Sequence, residues 1–310
     1  MPREIARAVA LLKQGRLVAF PTETVYGLGA DASSAAAIAR LYSVKQRPAD
    51  HPVIVHFDSA ARAFTWAREV PETARALARK FWPGPLTLIL KRSDLAKDFV
   101  SGAQDNIGVR VPAHPVAHEL LAAFGSGIAA PSANRFGLVS PTTAAHVHAD
   151  LGSDVDLVLE GGSSEVGIES TIVDLSGAEP TLLRPGRISA AELEAVIGKV
   201  REKSAASPRH SGGLERHYAP RTPARLVPTH ELDREIAKLK DKVAVLAFSR
   251  PDERVDFWLR MPRDPQAYAH KLYGALRELD DAGCEAILIE APPKAPEWAA
   301  VLDRLRRASG

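Results

Sequence analysis

Cysteine is nearly absent from this sequence: its 310 residues include only Cys284, so it can form neither an intramolecular disulfide nor a multi-cysteine metal site. Aromatic residues make up 6% and do not cluster beside basic ones, which argues against a stacking platform for single-stranded nucleic acid. An excess of one charge is also missing. The formal balance is +2, too small to announce a nucleic-acid binder, although a local basic patch remains open. No apolar run approaches the roughly 20 residues of a membrane span. The N-terminal segment, with Ile5, Val9 and Leu12 at helical spacing, is interrupted by charges, as in an amphipathic helix and not a secretory leader. A cytoplasmic location is the expectation. Neither Gly-x-x-x-x-Gly-Lys-Ser/Thr nor Gly-x-Gly-x-x-Gly occurs, so no P-loop or dinucleotide fingerprint is assigned.

An apolar fraction of 45% and a charged fraction of 25% describe an ordinary globular chain, long enough for two cores. Leu17-Val-Ala-Phe20 reads as a buried strand stopped by Pro21, and Gly27 and Gly29 read as a close turn around a ligand. A short helix follows over 33–42, capped by Ser34 or Asp31. Strands are expected at 51–57, 86–90, 107–111, 127–130, 155–159, 170–174 and 181–183. Helices fall between them at 59–69, 71–81 and 142–151, and Ser189-x-x-Glu192 is a capping box opening a helix to Ile197. Residues 198–224 lose apolar periodicity and gather Pro, Gly, Ser and basic residues, which marks a linker. Beyond it, strands at 224–228, 242–248 and 286–290 alternate with helices near 230–240, 265–281 and 296–307. That alternation predicts a small parallel α/β domain. The division is thus 1–197, a linker at 198–224, and 225–310.

Several polar clusters fall where the chain should turn. Lys45 and Arg47 are two apart; on an extended segment they would face one side and could converge on an anion, or simply be solvated. Arg110 closes an apolar strand and needs an anionic partner, either a structural carboxylate or a substrate's. Pro131-Ser-Ala-Asn134 follows a small-residue strand and offers room for a flat ring with hydrogen bonds from Ser132 and Asn134, or a plain Asx turn. Pro83-Gly-Pro85 reads as a rigid strand entry outside any site. His114 and His118 lack the His-Glu-x-x-His order, and His146 and His148 read as helix surface, so no metal site is assigned.

These clusters, Phe20–Asp31, Lys45-Gln-Arg-Pro48, Val109-Arg-Val-Pro112, Pro131-Ser-Ala-Asn134 and Glu169-Ser-Thr-Ile172, with His217-Tyr-Ala-Pro220 as a sixth, resemble the YrdC family over about 5–220 and, more loosely, beyond. The two-domain members of that family make L-threonylcarbamoyladenylate from ATP, bicarbonate and L-threonine as precursor of a tRNA modification. The resemblance implies a twisted mixed-sheet catalytic domain followed by a smaller Rossmann-like parallel α/β domain. It implies that Lys45 and Arg47 meet the phosphates and carry the catalysis. Further ATP contacts would be His51, Asn106, Ser132, Asn134, Ser140, Arg184 and Tyr218. His51 stands where the family usually has asparagine. L-threonine would be held by Thr24, His56, Arg110, the backbone near Ala130, and Ser170.

The resemblance further implies that magnesium travels with ATP and that the product passes to a tRNA threonylcarbamoyltransferase complex. Glu23 and Glu169 read as acidic helpers or as exposed structural carboxylates. Ser211 and Gly213 depart from the family's Pro-Gly-Met before His217, and the flexible front of the linker is expected to let it close as a lid. Two rivals stand beside this reading: an RNA-binding module without catalysis, and a carbamoyl-adenylate enzyme with another substrate, as in hydrogenase-maturation proteins.

Overall fold

The computed structural model describes residues 2–205, 207–239 and 241–310. Met1, counted in the N-terminal segment, and Lys240, at the end of the helix expected over 230–240, lie outside them. Helix α1 (Arg3–Lys13) buries Ile5, Ala8, Val9 and Leu12, the stripe its spacing forecasts. Strand β1 (Val18–Phe20) ends at Pro21, and β2 (Gly27–Asp31) returns antiparallel to it. Gly27 and Gly29 therefore lie within a strand and make no turn. A Cβ at Gly29 would lie 2.9 Å from the Phe20 ring and from the Val18 carbonyl, so close packing is what excludes a side chain there.

Helix α2 (Ala35–Lys45) is capped by Ser34, and β3 (Ile54–His56) follows. Next come α3 (Ala60–Thr65), α4 (Glu72–Phe81), β4 (Leu86–Lys91), α5 (Asp98–Ser101) and β5 (Asn106–Arg110). Then α6 (Pro115–Phe124), β6 (Ile128–Ala129), α7 (Ala144–Leu151), β7 (Leu157–Val158), β8 (Thr171–Asp174) and β9 (Thr181–Arg184) complete most of the first sheet. Helix α8 (Ala190–Ile197) opens with the expected reciprocal capping box. A two-residue strand, β10 (Arg201–Glu202), pairs with β9, so the start of the linker belongs to the sheet's edge.

Among the described residues the ten strands run in the order β10-β9-β8-β4-β5-β3-β6-β2-β1-β7. Parallel pairs (β3 with β5, β4 with β8) alternate with antiparallel ones (β4 with β5, β8 with β9), which makes the sheet mixed.

The second sheet is built from β11 (Ala224–Val227), β12 (Val243–Ala247), β13 (Phe257–Arg260) and β14 (Ala286–Glu290), in the order β11-β14-β12-β13 and parallel throughout. Helices α9 (Leu232–Ala237), α10 (Pro265–Asp280) and α11 (Ala299–Ser309) complete it. Strand β13 escapes the sequence reading because it is a short edge strand with partly exposed residues and no clean alternation. Buried side chains from both halves form one apolar cluster: Val25, Val139 and Ile168 pack with Tyr268, Leu272 and Trp298. Among the described residues no helix is long and apolar enough to cross a membrane.

Candidate active site

Arg110 ends β5 with only 4% of its surface exposed. Its Nη2 donates to Glu23 Oε1 at 2.6 Å, its Nη1 to Thr24 Oγ1 at 2.9 Å and its Nε to the Gly84 carbonyl at 3.3 Å. A protein carboxylate thus meets its need for an anion, while one N–H on each Nη remains outside these bonds. The Pro83–Pro85 strand entry touches this cluster after all, through Gly84. Thr22 Oγ1 donates to the Val25 carbonyl at 2.6 Å, so in the 2.8 Å pair of hydroxyls Thr24 must be the donor and Thr22 the acceptor.

Register carries the cluster across the sheet: His56 of β3 and Thr87 of β4 both lie opposite Arg110. Thr87 Oγ1 is 2.8 Å from Ser170 Oγ. Burial, reinforced by the Arg110 charge, lowers the His56 imidazole to about 3, and its buried Nδ1 has no partner among the described residues. Ala130, just past β6, gives its N–H to the Ile54 carbonyl at 3.0 Å and is buried against Gly27.

Lys45 and Arg47 do not alternate along an extended segment. Lys45 is the last residue of α2, and Gln46, at φ 54°, makes the left-handed turn that leads to Arg47. Neither is solvated. Lys45 Nζ donates to the carbonyls of Ser132 and Asn134, both at 2.5 Å, and burial beside Arg47 pulls its pKa well below the usual lysine value. Arg47 gives Nη2 to the Pro52 carbonyl at 2.8 Å and to Ser211 Oγ at 3.4 Å, and lies 5.3 Å over the Phe136 ring. The His51 and Phe136 rings meet in a T-shaped pair, 5.4 Å between centroids. Asn134 spends its amide protons on the Arg135 and Leu138 carbonyls, and its buried Oδ1 has no partner among the described residues.

A third cluster gathers where β8 and β9 meet. Arg184 donates through Nε to the Ser170 carbonyl at 3.0 Å and through Nη2 to Ser170 Oγ at 3.1 Å. Its Nη1 reaches the Ser211 carbonyl at 3.0 Å and Tyr218 Oη at 3.4 Å. Ser211 therefore touches both Arg47 and Arg184. Glu169 accepts from Ser140 Oγ at 2.6 Å, Tyr273 Oη at 2.8 Å and Arg304 Nε at 2.8 Å. Burial raises its carboxyl, but Arg304, Arg184 and the Ser140 bond outweigh that and hold it at about 2. Glu23 and Glu169 are consequently buried and paired, not exposed.

The part of the linker that touches these clusters is anchored at Arg209 and at Ala219. Arg209 binds Asp50 at 3.0 Å and the Gly102 carbonyl at 2.9 Å, and the Ala219 N–H binds the Gly137 carbonyl at 2.9 Å. Tyr218 adopts φ 60° and is 1% exposed, with Arg304 5.3 Å over its ring. Among the described residues, His210 Nε2 and His217 Nδ1 are likewise buried without partners, and they join His56 Nδ1 and Asn134 Oδ1 along this region. Such atoms are expected where a bound molecule completes the hydrogen bonding.

Asn106 is the residue set apart. It shares a face of β5 with Arg110 but stands at the strand's opposite end, about 13 Å away at strand rise, with a buried Oδ1 that has no partner among the described residues. Sequence reasoning missed Tyr273 and Arg304. The signal for Arg304 was an arginine on the apolar stripe Val301, Leu305, Ala308 of α11, where it is fully buried.

A family model of the Sua5, YciO and YrdC type, described as "Telomere recombination", matches residues 10–186, and one described as "Threonylcarbamoyl-AMP synthase, C-terminal domain" matches 188–310. The chain belongs to the Sua5/YciO/YrdC family. A threonylcarbamoyl-AMP synthase of Pyrococcus abyssi is 40% identical over 322 residues, 99% of this chain and 94% of the relative. Another, from Bacillus subtilis, is 36% identical over 99% of this chain and 93% of its own. The crystal structure of P. abyssi Sua5 complexed with L-threonine superposes with a TM-score of 0.93 at 38% identity, covering 99% of this chain and 94% of that one. Escherichia coli YciO, at 26% identity and a TM-score of 0.52, covers 60% of this chain and 90% of its own. The mixed sheet and the parallel second sheet are thus the family's architecture, as the sequence motifs implied.

Proposed function

We propose that the protein is a threonylcarbamoyl-AMP synthase serving tRNA modification. The observation that carries this is its match, across both halves, to a threonine-bound Sua5. The site geometry supports the same reading. Arg110 offers a fork with an N–H left on each Nη for the threonine carboxylate, beside Thr24, neutral His56, Ala130 and Ser170. ATP occupies the side lined by Lys45, Arg47, His51, Ser132, Asn134, Ser140, Arg184 and Tyr218, with Asn106 at the far end of β5.

The threonine amine takes up carbon from bicarbonate, with loss of water, to form a carbamate. A carbamate oxygen then bonds the α-phosphorus of ATP as the bond to pyrophosphate breaks. Lys45, Arg47 and Arg184 offset the charge that develops on the phosphates. Burial lowers the Lys45 pKa in the free protein, so a bound polyanion favours its protonated form.

Among the described residues no three His, Cys, Asp or Glu side chains converge to hold a metal, and arginines occupy Glu23 and Glu169. Magnesium arrives with the substrate, as MgATP, since this ion binds chiefly through substrate phosphates and few protein ligands. In this reading 1–197 carries the chemistry, 198–224 closes the site and 225–310 buttresses it. The reaction runs in the cytoplasm and its product passes to a tRNA threonylcarbamoyltransferase complex.

The test is incubation with MgATP, bicarbonate and individual amino acids, measuring pyrophosphate and the adenylate. Threonine-dependent release of both is expected, falling at least tenfold in Lys45→Ala and Arg47→Ala. Release independent of the amino acid would overturn the reading, and a variant at the normal rate would remove that cation from the mechanism.

A further inference from the structure

Arg304 belongs to the last helix of the chain, yet its side chain reaches the first sheet and is 0% exposed. It donates Nε to Glu169 Oε2 at 2.8 Å, Nη2 to the Glu169 carbonyl at 3.2 Å and Nη1 to the Pro185 carbonyl at 3.0 Å. Asp303 Oδ2 accepts a further bond from Nη1 at 2.7 Å and helps fix the guanidinium. The guanidinium Cζ lies over the Tyr218 ring, 5.3 Å from the centroid. Its three anchor points are thus the neighbour of Ser170, the neighbour of Arg184, and Tyr218 itself. Tyr273, from α10, adds its hydroxyl to the same Glu169 oxygen at 2.8 Å.

A planar fork with donors in fixed directions can tie three separate chain segments to one geometry, which a lysine ammonium cannot. Replacing so costly a buried ion pair with apolar packing would ordinarily be neutral or stabilising, so stability alone is a poor account of it.

We propose that Arg304, assisted by Tyr273, is a positioning residue for adenylate formation: from the second half of the chain it holds the segments that carry Ser170, Arg184 and Tyr218. The inference rests on reading those three as site residues of the synthase proposed above. It also gives the C-terminal unit a defined part in the reaction, because without it Glu169 loses two of its three side-chain donors.

The test compares full-length Arg304→Lys and Tyr273→Phe with the unaltered protein. Arg304→Lys keeps the charge but loses the fork, and Tyr273→Phe removes one hydroxyl, so the second variant stands in if the first does not fold. Threonine- and ATP-dependent pyrophosphate release is measured per folded molecule, together with amide hydrogen exchange of 167–171, 183–187 and 211–219 in the ligand-free protein. Arg304→Lys is expected to lower kcat at least tenfold and Tyr273→Phe at least threefold, with faster exchange in all three segments at an unchanged melting temperature. Normal kcat and KM in folded variants would overturn the proposal while leaving the synthase reading intact. If the unaltered protein shows no threonine-dependent release, the synthase reading fails, and unchanged exchange would then refute the positioning role as well.

Discussion

Gly212→Ala adds one methyl group at the point where the linker crosses the site. A Cβ there would lie 1.9 Å from Tyr218 Oη, 3.0 Å from Tyr218 Cζ and 3.1 Å from Arg184 Nη1, at a backbone φ of +75°. The left-handed conformation alone costs an alanine about 1–2 kcal/mol. Ordinary contact begins near 3.4 Å, so the overlap with Oη demands a displacement of roughly 1.5 Å. The Tyr218 ring is in a poor position to yield, since it is 1% exposed, with Arg304 over its face and Tyr273 5.9 Å away.

The linker must therefore move, and it carries Ser211 away from Arg47 and Arg184. A misplacement of about 1 Å at a reacting centre can cost about 10²-fold in rate, which is the loss expected in adenylate formation. Urea unfolding should show a smaller effect, about 1–2 kcal/mol from the left-handed strain against about 2.7 kcal/mol for the rate loss. Adding Tyr218→Phe deletes the clashing oxygen and should recover part of the rate. If Gly212→Ala makes adenylate at the normal rate with normal stability, the linker does not occupy this position during catalysis.

Arg110→Ala should cost about 3–5 kcal/mol of stability, because Glu23 would be left buried without its cation. Arg110→Lys keeps that charge, and is expected to raise the KM for threonine at least tenfold while leaving that for ATP nearly unchanged; equal rises in both would confine Arg110 to its pairing with Glu23. Burial lowers His56 and His217 to about 3 and His210 to about 4 from 6.5, so between those values and 6.5 the unfolded chain binds protons that the native state refuses. Stability should then fall as pH drops below 6.5, by up to about 1.4 kcal/mol per pH unit for each histidine, and a urea midpoint that stays level from pH 7 to 4.5 would refute this. Glu169 adds to the loss only at lower pH, as its contribution, complete above 4.5, disappears towards 2.

Apolar period and capping residues were sufficient for most helices and strands, because α1, α8 and β4 follow local rules that nothing overrides. The motif glycines misled for a physical reason. Glycine satisfies both a positive φ and a crowded strand crossing, and it takes neighbours distant in sequence, such as Ala130 at Gly27 and Ile128 at Gly29, to distinguish the two. Lys45 and Arg47 came together through a helix end followed by one left-handed residue, a geometry that spacing alone does not distinguish from an extended run. The tie between Glu169 and Arg304 spans 135 residues of sequence, beyond the reach of any local pattern. The same tie bears on truncation: a protein ending near residue 200 would bare Val25, Val139 and Ile168 and strip Glu169 of Arg304, so it does not isolate the linker's contribution.

The hydroxyl pair at Thr22 and Thr24 has a direction. Thr24 already gives its only proton to Thr22 and takes one from Arg110, so all it has left to offer a visitor is a lone pair. Such an oxygen welcomes N–H and O–H groups and repels carboxylate oxygens. An amino acid whose carboxylate sits on the guanidinium fork would therefore turn a donor, its amine or its hydroxyl, towards Thr24, and that one lone pair bars any orientation that presents an acceptor there.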